Sequence, residues 1–175
     1  MYFIFSKFES LLSFFYNIII KLYFKLKYGK KLIIGKKVKF RFGIRIVIDK
    51  NGTVKIGDNC FFNRYCTIDC NKEIIIGKHN LFGENVKIYD HNHQFDDKNI
   101  DRGVNYKNYR IKIGNENWFG TGITILGDTI IENYNVFAAN IVVKGNFKSE
   151  EIIQSENSKK YKIDKIKFIR KEEKC

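Results

Sequence analysis

Apolar residues recur along this chain at a step that suits neither a helix nor a simple strand. Stepping by six from Ile113 meets Phe119, Ile125, Ile131, Phe137 and Val143 without a break. The same step runs in groups of three upstream: Ile34, Phe40, Ile46; Ile56, Phe62, Ile68; Ile76, Phe82, Ile88. A helix repeats every 3.6 residues and a strand every two. A strict step of six fits short strands joined by tight turns, with one inward anchor per strand. Three such strands close a triangular coil of about 18 residues, and the pattern predicts about five coils stacked into a prism.

A second column stands two residues before each anchor, which strand alternation puts on the same inner face. It holds Val38, Ile44, Val54, Cys60, Cys66, Ile74, Val86, Ile111, Ile123 and Ile141. Asn80, Asn117 and Asn135 fall in the same column, and buried amides there need partners, from one another or from the corner backbone. The gaps from Ile46 to Ile56 and from Ile68 to Ile76 are small corner insertions, whereas that from Ile88 to Ile113 is a long excursion. After Val143 the period is lost. The chain is expected to leave the prism there, with Ile152, Ile153, Ile163, Ile166 and Ile169 packing back.

The pattern divides the chain into an amphipathic helical segment at 1–30, a β-helix at 31–147 with a projecting loop at 89–112, and a basic extension at 148–175. The longest uncharged run of the first segment, Ser10 to Ile20, is too short to span a bilayer. That segment suits packing on its own domain or contact with a membrane surface. The formal net charge is +13. Residues 1–50 carry twelve Lys or Arg against Glu9 and Asp49, a net +10. A basic face serves nucleic acid, anionic lipid or a phosphorylated cofactor. No nucleic-acid-reading module is interleaved with these charges, so a nucleic-acid partner is not expected.

Cys60, Cys66, Cys70 and Cys175 read as reduced thiols, the first two as small core residues. No His stands at ligand spacing from them, and His91-x-His93 lacks a third ligand, so no metal site is expected. The N-terminus lacks a convincing secretory cleavage site. The expected location is cytoplasmic, with the inner face of the membrane as a second placement for the N-terminal segment.

The stretches Ile-Gly-Asp-Asn, Ile-Gly-Lys-His and Ile-Gly-Asn-Glu-Asn-Trp-Phe-Gly resemble the hexapeptide-repeat acyltransferases, above all their maltose, galactoside and capsule-sugar O-acetyltransferases. The resemblance covers about residues 34–147. It implies a mainly β, left-handed parallel β-helix, a homotrimer with its sites between neighbouring subunits, and acetyl-CoA as acyl donor with no metal. The excursion reads YDHNHQFDDKNIDRGVNYKNYRIK, and long excursions from compact domains are usually functional. The family's His context falls on His93, which becomes the expected general base. His91 and Asp90 are expected at the acceptor, and Asp90 or Asp96 beside the catalytic ring. The same resemblance puts Asn63 at the acceptor and Trp118, Thr121, Ala139 and Lys144 along the cofactor, with Lys159, Lys160 and Lys162 as further phosphate ligands. The region FKSEEIIQSENSKKYK departs from the family, having neither Pro nor Gly where members carry a Gly-Asn-Pro-Ala-like turn.

The chemistry asks for such a base. A sugar hydroxyl is a weak nucleophile at neutral pH, and an imidazole can take its proton as the oxygen attacks a thioester. The expected function is acetyl transfer to a hydroxyl of a sugar or glycan. A sugar N-acetyltransferase and a non-catalytic binding or scaffold β-helix are the alternatives.

Overall fold

The structure, a computed structural model, describes residues 2–94 and 105–155, with side chains from residue 11 onward. Asp96, Lys159, Lys160, Lys162, Ile163, Ile166, Ile169 and Cys175 lie outside the described residues.

A long helix, α1 (Tyr2–Tyr28), leads into a parallel β-solenoid of three faces. The first face stacks Leu32–Ile34, Thr53–Ile56, Glu73–Ile76 and Arg110–Ile113. The second stacks Lys39–Phe40, Phe61–Phe62, Leu81–Phe82, Trp118–Phe119 and Val136–Phe137. The third stacks Arg45–Ile48, Thr67–Cys70 and Lys87–Tyr89. The strand Thr124–Ile131 bends around a corner, pairing with the third face through Thr124–Leu126 and with the first through Thr129–Ile131.

Registers are those of the six-residue step. Ile34 lies over Ile56, Ile56 over Ile76, Ile76 over Ile113 and Ile113 over Ile131. Parallel strands lie about 4.8 Å apart, so each anchor meets its like in the next coil. On the second face this makes a stack of phenylalanines. Phe62–Phe82, Phe82–Phe119 and Phe119–Phe137 have ring centroids 4.4, 4.8 and 4.9 Å apart and lie within 10° of parallel. All four rings are buried.

The chain does not leave the prism at Val143 as its lost period suggests. Gly145–Phe147 pairs with Thr129–Ile131, and Ile152–Ile153 pairs with Val136–Phe137, so a sixth, incomplete coil follows. The reason is a shortened corner. Val143 lies opposite Ile125 and Gly145 opposite Thr129, so Lys144 alone faces Leu126, Gly127 and Asp128. The step slips by two residues there, and Gly145 takes the tighter turn at φ 110°.

The inner amides form a ladder. Oδ1 of Asn80 accepts the backbone N–H of Asn117 at 2.9 Å, and Oδ1 of Asn117 accepts that of Asn135 at 2.9 Å. Nδ2 of Asn80 donates to Gly114 O and Nδ2 of Asn117 to Glu132 O. One coil earlier the thiol of Cys60 makes the equivalent bond to Gly77 O at 3.0 Å. The last rung is incomplete: Oδ1 of Asn135 accepts the N–H of Glu151, but its Nδ2 is buried without a partner among the described residues.

Helix α1 closes the first end. Tyr16, Ile20, Phe24 and Tyr28, each one turn apart, face the first coil, with Phe24 buried over Phe40. An uncapped end of a parallel sheet leaves backbone groups free. Asn17 meets two of them, accepting from Phe40 N at 2.7 Å and donating to Phe40 O at 2.9 Å. Lys21 donates to Val38 O, and the Tyr28 hydroxyl to Ile46 O at 2.8 Å. Among the described residues no helix is long and apolar enough to cross a membrane.

Replacing Asn117 by Ala strips partners from one buried N–H and one half-buried carbonyl. Urea denaturation of Asn117→Ala is expected to show a loss of about 2–5 kcal/mol. Asn135→Ala removes one bond together with the orphaned amine, and its loss is expected to be clearly smaller.

Candidate active site

The long excursion leaves the prism at the corner between the third and first faces. Asp90 is its first residue and Tyr109 its last: Tyr109 N–H donates to Asp90 O at 2.7 Å and closes the root. Between them His91–His93 and Tyr106–Asn108 form an antiparallel ribbon, with His91 opposite Asn108 and His93 opposite Tyr106. The root rests on the next coil at Gly127. A Cβ there would come within 2.8 Å of the Tyr109 side chain and 3.0 Å of Asp90 O, so only glycine lets the ribbon seat on this corner.

Asp90 fixes the root chemically. Its side chain is fully buried. The corner Asn71–Glu73 presents three successive N–H groups, a concavity that suits an anion. Oδ1 accepts from Asn71 N at 2.7 Å, and Oδ2 from Lys72 N at 2.8 Å and Glu73 N at 2.9 Å. The Cys70 thiol donates to Oδ2 at 3.1 Å. Burial first, and then the neighbouring carboxylate, push that thiol above its ordinary pKa. Burial likewise pushes Cys66 up to about 11.

The two histidines are held differently. Nδ1 of His91 lies 3.2 Å from Oδ1 of Asp90, and the ring is edge-on to Tyr106 at 5.1 Å. Its side chain is only 15% exposed. His93 is exposed, and its ring lies 4.8 Å from that of Tyr106. Asp90 therefore contacts the first ring and not the second.

The remaining expected positions separate onto other edges. Asn63 stands at the corner between the second and third faces, its Oδ1 accepting from Arg64 N at 2.9 Å. Thr121 and Ala139 share that corner, where Asn140 N donates to Thr121 O at 2.8 Å and Gly120 lies against the Ala139 backbone. Trp118 is half-exposed on the second face just before this edge, between Leu81 and Val136. Lys144 is exposed on the shortened corner, the same edge of the prism as the histidine ribbon. One chain thus brings Asp90, His91, His93 and Lys144 to one edge, and Asn63, Thr121 and Ala139 to another. His79, with φ 59°, is a left-handed corner residue like Asn59 below it and Glu116 above.

Residue types alone do not reveal Tyr106, Tyr109, Gly127 or the Asn71–Glu73 corner. One signal was present: the step from Ile68 to Ile76 exceeds six by two residues, and those residues build the corner that binds Asp90.

These features define a class: a parallel β-solenoid built on six-residue steps, with a histidine-bearing ribbon projecting from one corner. No family model matches the chain. It is 31% identical over 110 residues to WbbJ of Escherichia coli (strain K12), assigned to lipopolysaccharide biosynthesis as an O-acetyl transferase. The match covers 58% of this chain and 56% of WbbJ, so the chain spans about half the length of that relative. Among solved structures it is similar to a maltose O-acetyltransferase from Clostridium difficile 630, with TM-score 0.60, 24% identity, and 75% and 70% of the two chains covered. A hexapeptide-repeat acetyltransferase from Vibrio cholerae, solved with acetyl coenzyme A, gives TM-score 0.59 and 23% identity over 68% and 63% of the chains. The fold is that of the hexapeptide-repeat acetyltransferases, as the resemblance of the repeat stretches implies.

Three outcomes follow from this geometry. Asp90→Asn keeps the shape but leaves one oxygen for three backbone donors, and is expected to cost about 2–4 kcal/mol in urea unfolding. Asp69→Asn, which breaks the more open pair with Arg45, is expected to cost less than about 1 kcal/mol. In a Cys175→Ser chain, Cys60, Cys66 and Cys70 are expected to resist alkylation at pH 8 until denaturant is added, as read by mass spectrometry.

Proposed function

We propose that this protein transfers an acetyl group from acetyl-CoA to a hydroxyl of a sugar or glycan, with His93 as general base, working as a homotrimer. The observation that carries the reading is an exposed imidazole on a short ribbon whose root is locked into a rigid corner. A base must sit within hydrogen-bond reach of the proton it removes, and a group on a fixed root holds that position with little reorganisation.

His93 takes the hydroxyl proton as the oxygen attacks the thioester carbonyl. The tetrahedral oxyanion so formed collapses: its C=O re-forms, the C–S bond breaks, CoA leaves as a thiolate, and the imidazolium returns the proton to it. Asp90, buried with both oxygens engaged, acts on the acceptor through His91, whose ring it orients. Asn63 supplies a further acceptor contact. Trp118, Thr121 and Ala139 line the pantetheine, and Lys144 offers a point charge for a phosphate.

The split of these positions between two edges of one prism supports the trimer. A site that holds both groups at once needs the histidine edge of one subunit beside the Asn63–Thr121–Ala139 edge of another. Two of the relatives named above, WbbJ and the maltose enzyme, are O-acetyltransferases, which favours a hydroxyl acceptor.

The test is CoA release from acetyl-CoA against a panel of sugars and glycans, with thermal unfolding run in parallel. Acetyl-CoA at about 100 times its dissociation constant should add about 2.7 kcal/mol of stability to wild type and to His93→Ala alike. Turnover should fall by about 10²–10⁴-fold in His93→Ala. Stabilisation by acetyl-CoA with full turnover in His93→Ala would transfer the base role to His91, tested by His91→Ala. The absence of stabilisation at millimolar acetyl-CoA would sink the enzyme reading.

A further inference from the structure

Among the described residues, helix α1 uses one face to close the prism and leaves the rest uncovered. Tyr16, Ile20, Phe24 and Tyr28 define the inward stripe. At 100° per residue the opposite half of the helix carries Leu11, Leu12, Phe14, Phe15, Ile18, Ile19, Leu22, Tyr23 and Leu26. Every one of them is about half exposed or more, from Tyr23 at 49% to Leu26 at 78%. Phe42, 66% exposed and packed beside Tyr16, extends the surface onto the first coil. A contiguous apolar surface of this kind marks a docking site.

The charge around it selects the occupant. Between Glu9 and Asp49 the chain holds no acid and ten Lys or Arg. Lys25, Lys27, Lys30, Lys36, Lys37, Lys39 and Arg41 are exposed on the helix's final turn and on the coil beneath it. A second copy docking by the same surface would bring two such basic rims together, and like charges across an interface oppose association. A bilayer with anionic headgroups offers the opposite sign at the rim and hydrocarbon at the centre. A helix with an apolar face, basic flanks and, as here, no acid beyond Glu9 is the form that lies in that interface. Tyr23, with Lys27 5.6 Å above its ring, has the apolar body and polar tip that settle at headgroup depth.

We infer that the capped end of the prism is a membrane-docking surface: α1 lies in the plane of an anionic bilayer, its outer apolar half in the headgroup–acyl boundary and the first-coil lysines against the phosphates. The prism axis then stands away from the membrane, with the histidine ribbon leaving the third coil above it. The inference uses no residue of the candidate active site, so it stands or falls independently of the proposed acetyl transfer.

The experiment is flotation of the full chain with phosphatidylcholine vesicles and with vesicles of phosphatidylcholine and phosphatidylglycerol in equal parts. Wild type should float with the anionic vesicles, at least tenfold more than with the neutral ones, and progressively less as salt is raised. Ile19→Asp/Leu22→Asp should abolish flotation with its melting temperature and circular dichroism unchanged, since both positions are exposed. Leu26→Ser, a milder change at the most exposed of these positions, should weaken flotation severalfold. Lys25→Gln/Lys36→Gln/Lys37→Gln should bring anionic flotation down to the neutral level. Wild type remaining in the aqueous fraction with both vesicles overturns the inference. So does equal flotation with both. A wild-type oligomer seen by sedimentation that Ile19→Asp/Leu22→Asp dissociates, without vesicle binding, would reassign the face to a second copy.

Discussion

Coil must lie on coil at the spacing of a parallel ladder, about 4.8 Å, and everything else in this molecule answers to that constraint. At so short a repeat a side chain can meet little besides its counterpart one coil away. Isoleucine therefore stands over isoleucine, and the second face becomes a column of parallel phenylalanine rings. The same spacing turns inner amides into a chain in which each rung satisfies the next. It also makes the corners glycine-rich, because a Cβ on Gly57, Gly77 or Gly114 would strike the backbone of the following coil.

Anchor residues that must repeat are easy to read from a sequence, and the prism, its inward columns and the projecting excursion were legible for that reason. The amide ladder was legible too, since three asparagines in an inward column have few other partners. The sixth coil was not. Its corner is two residues shorter than the one before it, so the six-residue step misses Phe147 and Ile153 although their ladders continue. The bent, left-handed corners were equally hidden. Lys37, Tyr65, Glu116, Tyr134 and Glu150 all sit at positive φ, where the residue type gives no hint and the stacked backbone alone sets the turn.

At the site the histidines were legible and their supports were not. A carboxylate next to a His suggests an orienting role, and Asp90 does contact a ring, but it is that of His91. What holds Asp90 is three backbone N–H groups of a corner one coil away. Backbone donors carry no sequence signature, and neither does the seat that Gly127 offers Tyr109. The division of the expected site residues between two edges is also a property of the prism's geometry, invisible along the chain.

The ribbon's closed root has a further meaning. Because Tyr109 bonds back to Asp90 where the excursion leaves and re-enters, Tyr89 and Arg110 keep their places in the ladder whatever lies between. Lengthening a loop whose ends are already pinned adds little to its entropy of closure. The excursion is in that sense a cassette. Evolution can exchange its contents, and with them whatever the histidines are shown, without renegotiating a single rung of the prism.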